Sequence, residues 1–443
     1  MRYSRLKVGL AIAGTVVGMC SVMVQPAFAD YAPAAKDVVG VGSDTLQYLV
    51  DFAADGDNTG DLGYNSNGNK FKLINFDATT DANARLSYGP DGVGGGQCAP
   101  GTGPTAGTGN TTGTHADSPC QQNPTIVLRA GLSPVQRPNG SGAGAKALAA
   151  DTAHLITFSR ASACQGPTAG CGGNLSASFD SIQVGTDPLA MLSATTTNAV
   201  PLSAAQLKLI YNCTDTNWNQ VGGSTNPIVP IIPQVGSGTR STFLSDIGLT
   251  APGSCVVVGE ENDPTAIAAQ GASAANAIEP MSGGRLDLFL GLLSNGTSNG
   301  VGGYFHDPSC SLNAINNSSP AACAAASNTL SPAVKLITTG TPSDANPLFD
   351  VNRPLYIYFR DADVNSATKW QPGSTLNAVR TLFYNPCPDN PPVAGDGCIA
   401  GTGPFTGIEF GPGGAPWFAT LTAQADISAA GIIPAYVPQV GGP

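Results

Sequence analysis

The sequence predicts a mixed α/β fold with mostly parallel sheets, and three observations carry that expectation. Short apolar runs alternate along the chain with segments of helical periodicity. Several runs end in turns of Gly, Ser, Asn and Thr that lead directly into a helix start. No segment carries the heptads or short repeats of a fibrous chain.

The elements follow in order. A strand is expected over 37–41, then a helix over 44–52 with Leu46, Leu49, Val50 and Phe52 on its apolar face. Residues 124–129 read as a strand, 144–150 as a helix and 154–159 as a further strand. A helix is expected over 203–211, with Ser203 as its N-cap. The run 227–232 is apolar and leads through Gly236-Ser237-Gly238-Thr239 to another helix start. Residues 354–359, rich in aromatic and β-branched side chains, form a late strand.

Two compact units fit within 443 residues. The first 29 residues read as a secretion signal: Arg2, Arg5 and Lys7 precede an apolar run from Val8 to Val24, and Ala27-Phe28-Ala29 offers a cleavage site. A membrane anchor is the alternative for that run, and lipid attachment at Cys20 is another. Met19 fits a lipobox poorly, so cleavage before Asp30 is preferred. Cleavage takes the net charge from −11 to −14, because the signal holds three basic residues and no acidic ones. Such a chain is a poor partner for nucleic acid or anionic membrane. It also cannot draw in an anion with its overall field, so an anion site must use local N–H groups and placed arginines.

Cys20 leaves with the signal, and the other ten cysteines suit disulfides in an exported protein. Neighbour pairing is expected: Cys98–Cys120, Cys164–Cys171, Cys213–Cys255, Cys310–Cys323 and Cys387–Cys398. The first pair would pin a Gly/Pro/Thr-rich surface insertion over 88–123. There is no CxxC, and His115, His154 and His306 lie far apart, so neither a zinc site nor another metal or cofactor is expected. His154, at the start of an apolar run, reads as a core or hinge residue.

Four strand-to-helix turns carry the functional signal. They are Gly40–Thr45, Asn139–Gly144, Phe158–Ser162 and Gly236–Thr239. Helix starts expose unpaired N–H groups and a partial positive charge, and glycines let main chain approach a ligand closely. A single such turn is an ordinary cap. Several in one α/β chain are hard to explain by capping alone.

With these turns on the page, the chain resembles the phosphate-binding proteins of ABC importers, which have the two-lobed type 2 periplasmic-binding fold. The resemblance is carried by Leu202–Tyr211 with Thr216–Gly223, by Gly236–Arg240 and by Arg353–Tyr358, in that order. It implies a hinge and crossover strands, with lobe I over 31–192 and 350–443 and lobe II over 193–349. It also implies phosphate contacts at Ser43, Asp44, Thr45, Ser141, Ser159, Ser237, Gly238 and Thr239.

Two departures from the family pattern matter. Arg160 stands where the family keeps an aspartate, and Pro233 stands where it keeps an arginine. The expected cations are then Arg160 and Arg240, and the acceptor role passes to Asp44; an exposed or structural ion pair is the alternative for Arg160. Glu279 is a further candidate on lobe II. The implied partners are inorganic phosphate or a related oxyanion and a membrane permease, with the binding protein itself a monomer outside the cell or in its envelope.

Other function classes fare less well. No candidate serine has the Gly-x-Ser-x-Gly of a nucleophile elbow, and phosphatase-like clusters of Asp, His and Glu are missing. A binding protein of the same fold for a carbohydrate or surface ligand is the third class. Trp218, Trp370 and Trp417 are its candidate stacking platforms, though Trp218 reads more simply as packing.

Overall fold

The run Val38–Gly42 forms strand β1, buried at every position, and the chain then turns into helix α1, Gln47–Asp55. Ser43 to Leu46 is the turn itself, so the helix begins later than its periodicity suggests. The computed structural model describes residues 33–57, 61–67, 71–78, 125–133, 135–300, 333–337, 349–364, 382–383 and 416–438. The expected signal, the 88–123 insertion, His115, His306, Trp370 and the cysteines at 20, 98, 120, 310, 323, 387 and 398 lie outside these residues.

The first part of the chain continues with β2, Leu73–Asn75, and the small hairpin of β3, Thr125–Ile126, and β4, Val135–Gln136. Helix α2, Ser141–Ala150, precedes β5, Phe158–Ala161. Next comes β6, Phe179–Ala194, the longest strand described. Helix α3, Ala204–Tyr211, then leads to β7, Val229–Pro233, and helix α4, Gly238–Asp246. After β8, Val257–Gly259, come the short α5, Thr265–Ala268, then β9, Ala277–Ser282, and α6, Gly283–Leu290. The late elements are β10, Val334–Leu336, β11, Asp350–Arg360, the turn α7, Asp361–Val364, helix α8, Leu421–Ala429, and β12, Ile433–Pro438.

One sheet of ten strands joins these pieces, in the order β2-β1-β5-β11-β6-β9-β7-β8, with β10 and β12 also pairing with β6. Its two ends are parallel: β1 with β2 and β5, and β7 with β8 and β9. Its middle is antiparallel, where β11 pairs with β5 and β6, and β6 with β9. The expectation of mostly parallel sheets therefore holds at the ends and fails in the centre. Parallel strands need crossover helices, which the ends have; the centre is built from two long strands that return on each other.

Apolar burial follows the same division. Leu49, Phe52, Phe158, Ile357 and Phe418 belong to one cluster beside the β1 end, and Val41, Leu148 and Ala161 belong to a second. On the other side, Trp218, Tyr211, Phe243 and Ile232 form a third, and Ile231, Met281 and Leu286 belong to a fourth. Trp218 is a core residue, fully buried; Trp417 is buried as well and donates its Nε1–H to the Ala53 carbonyl, 3.0 Å away. Neither tryptophan offers a face to a sugar.

The capping expectations hold where side chains decide them. Ser203 caps α3 in a reciprocal box with Gln206, and Ser237 caps α4 by accepting from the Arg240 amide. His154 departs from expectation. It is half exposed, sits at φ 56° and faces Asp363 across 3.6 Å, because β5 starts four residues later than the apolar pattern suggests. Two of the expected disulfides are present, Cys164–Cys171 and Cys213–Cys255. No helix among the described residues is long and apolar enough to cross a membrane.

Candidate anion-binding site

The turn after β1 is shaped by Gly42, whose φ of 117° and closeness to the Arg160 carbonyl exclude a side chain. It places Ser43, Asp44 and Thr45 in full burial, with the Ser43 amide donating to the Arg160 carbonyl at 3.1 Å. Ser141 opens α2, directly behind Gly140 at φ 99°. Past the end of β5, the Ser162 amide donates to Ser141 Oγ at 2.9 Å. Ser162 Oγ lies 3.1 Å from Ser43 Oγ and 3.3 Å from Ser141 Oγ.

The fourth turn closes this group from the other half of the sheet. A Cβ on Gly238 would collide with the hydroxyls of both Ser141 and Ser162, so the start of α4 rests directly on them. The Gly142 amide donates to the Gly236 carbonyl at 3.1 Å, joining two of the turns through main chain. Three serine hydroxyls and the first residues of α4 thus converge on one small volume.

A second group adjoins the first. Thr45 and Thr239 bring their hydroxyls within 3.5 Å of each other from opposite halves. Arg353, on β11, donates to Thr239 Oγ1 at 2.9 Å and to Thr45 Oγ1 at 3.4 Å. Its Nε and Nη2 hold Asp187 of β6 at 2.9 and 2.7 Å, and Asp187 also accepts from the Ser282 hydroxyl at 2.6 Å. Glu261 accepts from the Thr239 amide at 3.0 Å and from the Thr45 hydroxyl at 3.3 Å. Burial, and then Asp44, push the Glu261 carboxyl above its ordinary range; the Thr239 bonds and Arg353 act against that. Asn262 donates to both Thr45 Oγ1 at 3.0 Å and Asp44 Oδ1 at 3.1 Å.

The residues singled out from sequence divide accordingly. Ser43, Thr45, Ser141, Gly238 and Thr239 come together. Asp44 is beside them but faces Arg285, whose Nη2 is 3.6 Å from Oδ1 and whose guanidinium lies 4.0 Å from the Tyr48 ring centre. Ser237 acts through its cap of α4. Ser159 is buried in the sheet between Val41 and Tyr358, and its hydroxyl bonds to none of the group.

Neither expected arginine joins the hydroxyls. Arg160 lies under the first turn, fully buried, and donates to the carbonyls of Ser43, Gly42 and Phe76 at 3.1, 3.1 and 2.9 Å, and to Asn75 Oδ1. Burial lowers its pKa to about 10, with Asp51 and Asp77 opposing, so it stays charged at neutral pH. Strand alternation explains the placement: Ser159 and Arg160 face opposite sides of β5. Arg240 donates to the Pro233 carbonyl at 2.8 Å, which ties α4 back to β7. Glu279 is buried within β9, raised well above its ordinary range by burial and by Asp263, and bonds to none of the group.

Ser162, Arg353, Glu261 and Asn262 were not among the expected contacts. Arg353 stood at the head of a segment already notable, and its position before Pro354 in a strand was the available signal. The run Glu260-Glu261-Asn262-Asp263 gave none, since four polar residues in sequence read as a solvated loop; all four are buried. Among the described residues no cluster of His, Cys, Asp and Glu is arranged to hold a metal ion.

Mixed α/β architecture, two turn clusters at strand ends and a central antiparallel crossing define a periplasmic-binding-type protein. A family model described as the PBP superfamily domain matches residues 99–369, and the chain belongs to that family. No curated protein matches the chain. Among solved structures it is similar to a putative phosphate ABC transporter substrate-binding protein from Clostridium perfringens, at 18% identity and a TM-score of 0.33. That likeness covers 54% of this chain and 78% of the other. It is also similar to PstS from Borrelia burgdorferi, at 14% identity and a TM-score of 0.34, over 78% of this chain and 92% of the other. An ABC-type phosphate transport receptor from Vibrio cholerae stands at 17% identity and 0.32, over 52% and 77%. The family assignment rests on the family model.

Proposed function

We propose that this chain is an exported solute-binding protein that captures inorganic phosphate, or a closely related oxyanion, between two lobes and delivers it to an ABC importer. The lobes are 31–192 with 350–443, and 193–349. One observation carries the reading: Ser43, Ser141 and Ser162 converge on the start of α4, so donors from four strand ends meet at one point. Neutral donors and helix starts suit a buried anion in a protein of net negative charge. Arg353 supplies the cation in this reading, because its guanidinium reaches Thr45 and Thr239 at once.

Calorimetric titration with phosphate and with sulfate tests the reading, using the wild type and Ser141→Ala. Phosphate should bind, and the variant should lose about tenfold to a hundredfold in affinity, in line with one or two hydrogen bonds to a charged group. Absence of phosphate binding overturns it. A second reading, a neutral ligand such as a carbohydrate, draws on the buried carboxylates Asp44, Glu260 and Glu261 beside the same turns. Binding of a sugar and of neither anion would favour it.

A further inference from the structure

The start of α4 already holds a carboxylate. Glu261 is fully buried, and its Oε1 accepts from the Thr239 amide at 3.0 Å and the Thr45 hydroxyl at 3.3 Å. These donors come from the two halves of the sheet, as an oxyanion's donors would. Its own main chain is pinned too, with the Glu261 amide donating to Gln234 Oε1 at 2.8 Å. The carboxylate is therefore fixed in the seat that a helix-start anion would take.

We propose that Glu261 makes anion capture a proton-coupled event: the incoming oxyanion takes over the Thr239 amide and Thr45 hydroxyl, and Glu261 takes up one proton from solvent. The inference rests on the anion site proposed above and adds a selecting residue to it. Two negative groups cannot share the same donors in a buried site, so one of them has to be neutralised. The surroundings favour neutralising Glu261. Asp44 faces it from the first turn, Glu260 and Asp263 flank it in the chain, and burial with Asp44 already raises its pKa. Of the nearby cations, Arg353 is held by Asp187 on β6 and Arg285 on α6 is paired with Asp44, so neither answers to Glu261 alone. Once protonated, the carboxyl becomes a donor to the anion's oxygen, and a competitor turns into a contact.

Calorimetry of phosphate binding in two buffers of different ionisation enthalpy counts the protons. At pH 8 the wild type should take up about one more proton per phosphate than Glu261→Gln, and its affinity should fall about tenfold more per pH unit between pH 7 and 9. Ionisation of phosphate itself contributes equally to both proteins, so the difference isolates Glu261. The variant should bind phosphate at least about tenfold more tightly at pH 8. Equal proton counts and equal slopes, or weaker binding by the variant, overturn the role of Glu261 and leave the anion site standing. Phosphate binding to neither protein overturns both. A measurement on the wild type alone covers a variant that does not fold: the infrared difference spectrum on phosphate addition should gain a protonated carboxyl band and lose a carboxylate band. An unchanged carboxyl region overturns the proposal.

Discussion

Gly238 is the residue on which the site's geometry turns. A Cβ there would collide with the hydroxyls of Ser141 and Ser162, so any side chain drives them apart. Gly238→Ala should abolish phosphate binding and cost roughly 1–3 kcal/mol of stability by overpacking, read as a lower denaturation midpoint. Asp426 gives a prediction of a different kind. It is fully buried on α8, its pKa is pushed up to about 9 by burial and then by Asp57 and Asp61, and neither of its oxygens has a hydrogen-bond partner among the described residues. An acid raised in the folded state binds a proton that the unfolded chain releases near pH 4. Stability therefore falls as pH rises from about 4 to 9. Asp426→Asn should flatten that fall and raise the melting temperature more at pH 8 than at pH 5; an equal shift at both would refute the assignment. At this scale the sequence revealed hydroxyls better than charges. Hydroxyls sit in turns whose composition is diagnostic, whereas the direction of an arginine side chain depends on which face of a strand it leaves. Arg160 and Arg353 are both on strands, and the sequence favoured the one that points away.

Among elements, the crossing of β6 and β11 was the least legible and is the most consequential. Sixteen residues of β6 include Gly185, Asp187 and Pro188, which interrupt the alternation that marks a strand. Their reason lies in the partner: Asp187 pairs with Arg353 in register, and the ion pair at 2.7 Å is buried where the strands cross. Asp187→Asn leaves the Arg353 guanidinium without its counter-charge in a buried position. A loss of about 3–5 kcal/mol is expected in chemical denaturation. The helix starts, by contrast, were readable because caps are local. Ser203 and Ser237 need only the next three residues to do their work. Cys213–Cys255 was also readable by proximity, and it ties the end of α3 to the segment before β8. Reduction should lower stability by roughly 2–4 kcal/mol, checked by melts with and without reductant.

For the whole molecule, net charge opposes the approach of the proposed ligand, and that opposition is measurable. A chain at −11, or −14 without its first 29 residues, repels a phosphate dianion at long range. Added salt screens that repulsion within about 10 Å at 0.1 M. The association rate for phosphate should therefore rise as salt is raised from 10 to about 200 mM, whereas a basic cleft would give a fall. Stopped-flow mixing decides between them. The parallel ends were foreseeable from alternating strands and helices; crossover strands were implied by the family resemblance alone, because no local pattern reports that two distant strands will cross.

The seam between Gly142 and Gly236 has a mechanical consequence. There one main-chain hydrogen bond joins the two halves, and beside it the Asn139 side chain donates to Glu260 and accepts from Gln234 across the same seam. Parting them at that rim gives up these three bonds, at about 1 kcal/mol each. Bonds of this kind exchange for water when they part, so the proposed capture between two lobes would need no apolar core to repack at this latch.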